Sequence, residues 1–182
     1  MAYRIRKGQG LHDPATRDPT IRYTDLQDRL CETLGRLGQK NGKGWYQYDP
    51  AKGNGRLPIP DPAVSAFVDA FRREKGIVPR TDISDAEILE RSLYALVNEG
   101  LRCLGEGVAA TASDVDVIWA YGYGFPVWRG GPMHWAERGV GLPRLLAGLR
   151  EYSRRFPQSP WLKPAPLLEQ LVRKGQGLVA RL

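Results

Sequence analysis

Chemistry on phosphates or nucleotides needs glycines at set intervals, and this chain is rich in them. Gly-x-Gly pairs begin at Gly8, Gly42, Gly53, Gly105, Gly122, Gly139 and Gly175. None is followed by the third glycine of G-x-G-x-x-G and none follows a convincing strand, so no dinucleotide-binding turn is predicted. Gly38-Gln39-Lys40-Asn41-Gly42-Lys43-Gly44 resembles a phosphate loop by eye. It is one residue short between its glycines, and Gly44 stands where a Ser or Thr must hold magnesium. His12 and His134 have no Cys, Ser, His or Glu at the spacing of a metal site or proton relay, and read as satisfied or solvent-facing histidines. No residue is therefore assigned as catalytic, cofactor-binding or metal-ligating. What remains is a run of rings and glycines in which Trp119, Tyr121, Tyr123, Phe125, Trp128 and Trp135 crowd together. Each ring can bury on the order of 150–250 Å². A core and helix-packing knot is the first reading, with a ligand-lined pocket and a subunit or domain interface as the alternatives.

The elements that must position this run are helical. Ser84 stands three residues before Glu87 as a capping box, and Ile83 and Ile88 have the spacing of a hydrophobic staple. Leu89, Leu93, Leu96, Val97, Leu101 and Leu104 then recur at three- and four-residue steps, which predicts one amphipathic helix ending near Gly105. Ser113 and Asp116 read as the start of a second helix through Trp119 and Tyr121, ended by Gly122 and Gly124. Pro126 forces an extended turn at Phe125. Gly130 and Gly131 feed a helix with Pro132 at its first position, and are expected to be glycines for backbone reasons, one or both at φ > 0.

The rest of the chain follows the same grammar. Residues 1–22 are polar, carry Arg4, Arg6, Lys7, Arg17 and Arg22, and read as an exposed arm. Thr24 with Gln27 can cap a helix striped by Leu26, Leu30 and Leu34 or Cys31, ending at Gly35. Asn41-Gly42 suits two positive-φ residues, so residues 41–48 are granted at most one short hairpin. The Pro/Gly-rich segment 50–62 is the expected linker between residues 1–49 and 63–182. Beyond it, Val64, Phe67, Val68 and Phe71 mark a short helix. Leu145, Leu146, Leu149, Tyr152 and Phe156 mark a helix started by Pro143, and Leu167, Leu168, Leu171 and Val172 a last one within Pro164–Lys174. The expected class is all-α.

Composition sets the bounds. The 182 residues can bury a real core, and 27 Lys+Arg against 20 Asp+Glu give a formal charge of +7 on an ordinary globular composition. No run approaches the roughly 18 apolar residues of a membrane span, and the basic, then polar first residues are not expected to act as a signal peptide. Cys31 and Cys103 read as buried free thiols in a reducing compartment.

Several stretches carry a resemblance. I-S-D-A-E-I-L-E-R-S-L-Y-A-L-V-N-E-G-L-R-C-L at 83–104 and D-V-I-W-A-Y-G-Y-G-F-P-V-W-R-G-G-P-M at 116–133 resemble the C-terminal helical region of 3-hydroxyacyl-CoA dehydrogenases. They are most similar to the multifunctional enzymes that join an enoyl-CoA hydratase to the dehydrogenase. R-K-G-Q-G at 6–10 and G-R-L-G-Q-K-N-G-K-G-W-Y-Q-Y-D at 35–49 match the same proteins in the same order. The resemblance implies an all-α bundle and, in a parent chain, NAD-dependent oxidation of 3-hydroxyacyl-CoA to 3-ketoacyl-CoA. It also implies that the cofactor fold and the acid/base pair lie in preceding domains. A catalytic asparagine of the family, in a motif N-R-L ahead of an N-E pair, aligns with Glu90 when Asn98-Glu99 is that pair. Residues 63–182 accordingly resemble the second, non-catalytic copy of the helical repeat, and residues 1–49 a remnant of the first.

The resemblance implies a role in packing against the preceding cofactor-binding and hydratase domains, in shaping the acyl-CoA cleft and in assembly, with the isolated chain inactive. Tyr121, Tyr123, Phe125, Trp128, Arg129, Gly130 and Gly131 are the expected structural and interface residues. A shortened first repeat uncovers part of that face, so a homodimer is a further expectation. A basic nucleic-acid-binding module is the alternative function, permitted by the charge but lacking a basic stripe or reader motif. Neither a nucleic acid nor a membrane is expected as a partner. The terminus Ala180-Arg181-Leu182 fits the form of a peroxisomal address, whereas the Arg-, Ala- and Gly-rich usage reads as bacterial; the expected location is a bacterial cytoplasm, with the peroxisome as the alternative.

Overall fold

A computed structural model describes residues 2–19 and 23–178 of the chain. Arg22 and the Ala180-Arg181-Leu182 terminus lie outside the described residues. Regular structure among the described residues is helical, with only isolated bridges at Gly38–Lys43, Lys43–Gln47 and Gln47–Ile59. Two compact units divide at Thr81 and Asp82.

The first unit contains α1 (Ala2–Gly8), α2 (Leu26–Leu34) and α3 (Pro62–Glu74). The arm read from the sequence is thus helical in its first turns. Apolar period is absent there because charge does the docking: the Arg6 guanidinium donates to Asp28 on α2 at 2.6 and 3.1 Å, and the Tyr23 hydroxyl donates to the same carboxylate. Apolar burial is sparse, with Leu30, Val64 and Phe71 enclosed. The hairpin expected at 41–48 is only bridges, and Gly42 alone has positive φ while Asn41 sits in a 3₁₀ turn. Segment 50–62 is no linker between the units. Ile59 exchanges backbone hydrogen bonds with Gln47, and Asp61 both caps α3 through the Ala63 N–H and accepts from the buried Arg36 guanidinium at 2.5 Å. Arg36 also donates to the Gly44 carbonyl, so a single buried cation fixes three stretches of an otherwise irregular chain. A buried pair of this kind is costly to break by removing one partner, because the other charge is then left enclosed and unpaired.

The second unit is built on α4 (Asp85–Gly105), with α5 (Ala112–Gly122), α6 (Pro132–His134), α7 (Leu142–Arg155) and α8 (Pro166–Lys174). Ser84 caps α4 as its spacing predicts, accepting from the Glu87 N–H at 3.1 Å. The staple does not bury its pair, since Ile83 and Ile88 are both exposed. Nor does the leucine stripe form the core contact as a whole. The enclosed face of α4 is Tyr94, Val97, Asn98 and Leu101, against Leu145 and Leu149 of α7 and Leu168 and Leu171 of α8, while Leu89, Leu93 and Leu96 lie on a second, open face. Asn98, wholly enclosed, donates to the carbonyls of Trp161 and Lys163 and accepts from the Ala165 N–H, all at 2.8 Å. That amide ties the start of α8 to α4 with every buried polar atom of its side chain met. Gly100 permits the close approach of α6, because a Cβ there would stand 2.7 Å from the Met133 sulfur.

Candidate functional site: an aromatic groove beside helix α4

The capping box of α5 is Thr111 with Asp114, two residues earlier than Ser113 and Asp116 suggest. Asp116 is used elsewhere. Its carboxylate accepts from the backbone N–H groups of Met133 at 2.7 Å and His134 at 3.0 Å, and so caps α6 across the whole ring-bearing loop. Burial pushes this carboxyl above its ordinary value, and the two N–H bonds work against the shift. Gly130 and Gly131 both hold positive φ, at 78° and 112°. A Cβ on Gly131 would stand 2.4 Å from the Asp116 side chain, so the clasp and the glycine require each other. After α6 the chain continues as a π-turn over Trp135–Val140 before α7 begins.

The loop held by this clasp is not core. Tyr121, Tyr123 and Trp128 are 80%, 71% and 78% exposed, Arg129 is exposed and stacks on the Trp128 ring at 4.4 Å, and only Phe125 of the expected interface rings is half-buried. The physical reason is space. Leucines of α4, α7 and α8 with Met133 already fill the interior, and α5 buries only Val115 while Val117 and Ile118 face outward.

Between this loop and the open face of α4 lies a groove of about 580 Å³. Leu89, Leu93 and Leu96 form one wall; Trp119, Tyr123, Phe125 and Pro126 form the other, with Trp135 and Val140 from the π-turn. The rings of Trp119 and Tyr123 lie 4.9 Å apart. Glu90, Arg129 and Arg144 are its charged groups. Glu90 accepts from the Tyr152 hydroxyl at 2.6 Å, and from Tyr94 and Arg144 at 3.4 Å each. Burial, and then donation to Glu90, push Tyr152 up to about 12; burial and the nearby Glu90 charge raise Tyr94 as well. The arrangement can hold an apolar body with a polar end. It presents no nucleophile with an adjacent base, and among the described residues no three His, Cys, Asp or Glu cluster as for a metal. His134 is exposed, Cys31 and Cys103 are free and half-buried, and no described helix is long and apolar enough to cross a membrane.

The rings were evident in the sequence, but the groove was not, nor were the roles of Asp116, Asn98 and Tyr152. Each of those acts on a partner distant in the chain, and only the N-E spacing drew notice to Asn98.

The family described as 3-hydroxyacyl-CoA dehydrogenase, C-terminal domain, matches residues 88–178, half of the chain. The chain belongs to this family. It is 47% identical to the human peroxisomal bifunctional enzyme over 96% of its own length and 24% of that protein. It is 35% identical to the rice (Oryza sativa subsp. japonica) peroxisomal fatty acid beta-oxidation multifunctional protein, over 86% of this chain and 21% of that one. The chain thus spans about a quarter of the length of the curated relatives it matches. Among solved structures, the dehydrogenase part of multifunctional enzyme 1 from C. elegans shares the fold, with a TM-score of 0.61, 24% identity and coverage of 92% of this chain and 36% of that one. These eukaryotic, peroxisomal relatives overturn the expectation of a bacterial cytoplasm. Arg-, Ala- and Gly-rich usage reports base composition and says little about compartment.

Proposed function

We propose that this chain is the C-terminal helical part of a multifunctional fatty-acid β-oxidation enzyme whose dehydrogenase step oxidises 3-hydroxyacyl-CoA to 3-ketoacyl-CoA with NAD, and that it works in the peroxisome. The observation that carries this reading is the similarity to the human bifunctional enzyme along 96% of this chain but only 24% of that protein. NAD does not fit here: the described residues offer no strand leading into a glycine-rich turn and helix, only isolated bridges. In this reading the preceding part of the parent binds the cofactor and carries the acid/base pair. Residues 82–182 are the second copy of the helical repeat, residues 1–49 the tail of the first, and Glu90 stands where the catalytic copy has its asparagine.

The role left to the chain is packing, cleft shaping and assembly. Tyr121, Tyr123, Phe125, Trp128 and Arg129 form the surface offered to a preceding cofactor-binding or hydratase domain, on a loop set by Gly130 and Gly131. Contiguous apolar surface beyond a few hundred Å² seldom stays bare in a soluble protein. Alone in solution, the same face supports a homodimer. The test is enzymatic: the purified chain reduces no acetoacetyl-CoA with NADH above a mock-purified blank, and adding the preceding domains of the same parent restores turnover. Turnover by the chain alone overturns the reading.

A further inference from the structure

The first unit carries a surface that the packing role of the ring-bearing loop does not use. From Leu34 to Pro60 the only acid is Asp49, against five bases, Arg36, Lys40, Lys43, Lys52 and Arg56. Arg36 is committed inside to Asp61, and the Asp49 carboxylate accepts from the Ala51 N–H. Lys40, Lys43, Lys52 and Arg56 are exposed and form no ion pair among the described residues. Apolar side chains stand out among these cations: Leu37 and Leu57 are 57% and 51% exposed, and Trp45 and Tyr46 are exposed as well.

The backbone brings these residues together. Gly38 and Lys43 exchange hydrogen bonds at 2.7 and 3.1 Å, and a Cβ on Gly44 would stand 2.8 Å from the Gly38 Cα. Leu37 and Trp45, each next to one of these glycines, therefore leave the same tight knot. The exchange between Gln47 and Ile59, at 2.8 and 2.9 Å, lays the loop that carries Lys52, Arg56 and Leu57 beside it. Arg36, donating to the Gly44 carbonyl and to Asp61, locks the two together. The face is thus set before any partner arrives, and docking has little backbone to order.

Its composition selects the partner. Three lysines argue against a protein, because lysine is depleted in protein interfaces while arginine and aromatic residues are enriched. A nucleic acid would stack on Trp45 and Tyr46 and meet the cations, but would leave both leucines in water. A bilayer surface uses every group: leucines enter the acyl boundary, Trp and Tyr sit at headgroup level, and lysine stems carry their ammonium groups up to anionic headgroups. Such a face lies on a bilayer without crossing it, so it needs none of the long apolar helices that the described residues lack.

We propose that residues 35–58 form a peripheral docking face for an anionic phospholipid bilayer, with Leu37, Trp45, Tyr46 and Leu57 entering its surface and the four cations meeting its headgroups. The sequence led to no membrane partner because nothing in it can span, and that exclusion holds for spanning alone. Docking here does not depend on the dehydrogenase parent.

Co-sedimentation of the 182-residue chain with vesicles tests it, using phosphatidylcholine alone and phosphatidylcholine with about one third phosphatidylserine. Binding to the anionic vesicles only is expected, falling as salt is raised, with a blue shift of tryptophan emission that Trp45→Phe reduces. Lys40→Glu with Lys43→Glu should weaken binding roughly tenfold or more. Leu57→Ser should weaken it roughly threefold or more. Arg173→Glu with Lys174→Glu makes the same charge change at exposed positions of the second unit. It should leave binding nearly unchanged, because charges are screened beyond about 8 Å at physiological salt. Far-UV circular dichroism checks that each variant is folded.

No binding, or equal binding to the two vesicles, overturns the assignment. Equal loss in the two charge-reversal pairs does so too, since net charge then explains the attraction. Tighter binding to a single-stranded oligonucleotide than to the anionic vesicles would make the face a nucleic-acid surface. Loss of vesicle binding when the preceding domains of the parent are supplied would make it their seat. Turnover of acetoacetyl-CoA by the reconstituted parent is read separately, so the dehydrogenase reading and the docking face stand or fall independently.

Discussion

Leu101 and Leu89 are the same residue type on the same helix, yet Leu101 is wholly enclosed and Leu89 is 60% exposed. Around Leu101, α7 and α8 bring their own leucines, and Asn98 fastens the turn that leads into α8. Around Leu89 there is a groove, closed on its far side by rings on a loop. Both faces have helical spacing and the same hydrophobicity. The difference lies in what stands opposite: helices with leucines of their own for one face, a groove lined by loop rings for the other.

The sharpest way to break this comparison is truncation on both faces. Leu101→Ala should cost about 2–5 kcal/mol in urea unfolding, the usual price of a cavity in a packed core. Leu89→Ala should stay within about 0.5 kcal/mol, as exposed substitutions do. Equal losses would mean that both faces are packed. Next in size is Gly131→Ala. With φ at 112° and the Asp116 side chain where its Cβ must go, it should lower stability by about 1 kcal/mol or more and loosen the ring-bearing loop. An unchanged melting temperature would show that the loop is not held by the clasp.

Tyr152 probes the seam where the two faces meet at Glu90. Its pKa is raised in the folded chain, to about 12 from 10.0, so the proton it holds favours folding below about pH 10, and that contribution is lost as pH rises towards about 12. Tyr152→Phe should therefore be less stable by about 1 kcal/mol near neutral pH, with the gap narrowing as pH approaches 12. A gap that stays constant across that range in denaturant titrations would contradict the shift. The smallest effect on stability belongs to Trp128→Glu. At a ring 78% exposed, melting should change little, while sedimentation at micromolar concentration should show any dimer shifted to monomer. Unfolded protein would instead place Trp128 in the core.

What the sequence made legible was local. Ser84 with Glu87 located the start of α4, and Pro143 with Leu145, Leu146 and Leu149 that of α7, because caps and helical periods are written within a turn or two. Helix α1 is not legible in the sequence, since it is docked by Arg6 on Asp28 and carries no apolar period to count. Segment 50–62 has the composition of a linker, but Asp61 belongs to Arg36, and no local pattern announces a charge pair between distant residues. The loop rings were visible as residue types, and their exposure was not, since the periodicity of α4 cannot say which of its two apolar faces α7 and α8 will take. The spacing makes Asp116 a cap for α5, near whose start it lies, whereas its carboxylate caps α6 across the loop.

That last carboxylate has a consequence for how the chain tolerates change. By holding the Met133 and His134 amides, Asp116 fixes both ends of the segment between α5 and α6, whatever lies between them. Lengthening a loop with pinned ends costs little, about 0.6 kcal/mol for a doubling. Insertions around Gly124 can therefore alter the shape and reach of the ring-bearing loop while α4, α6 and α7 keep their register, so the exposed rings are free to be carried on a longer segment without disturbing the helices that keep the unit folded.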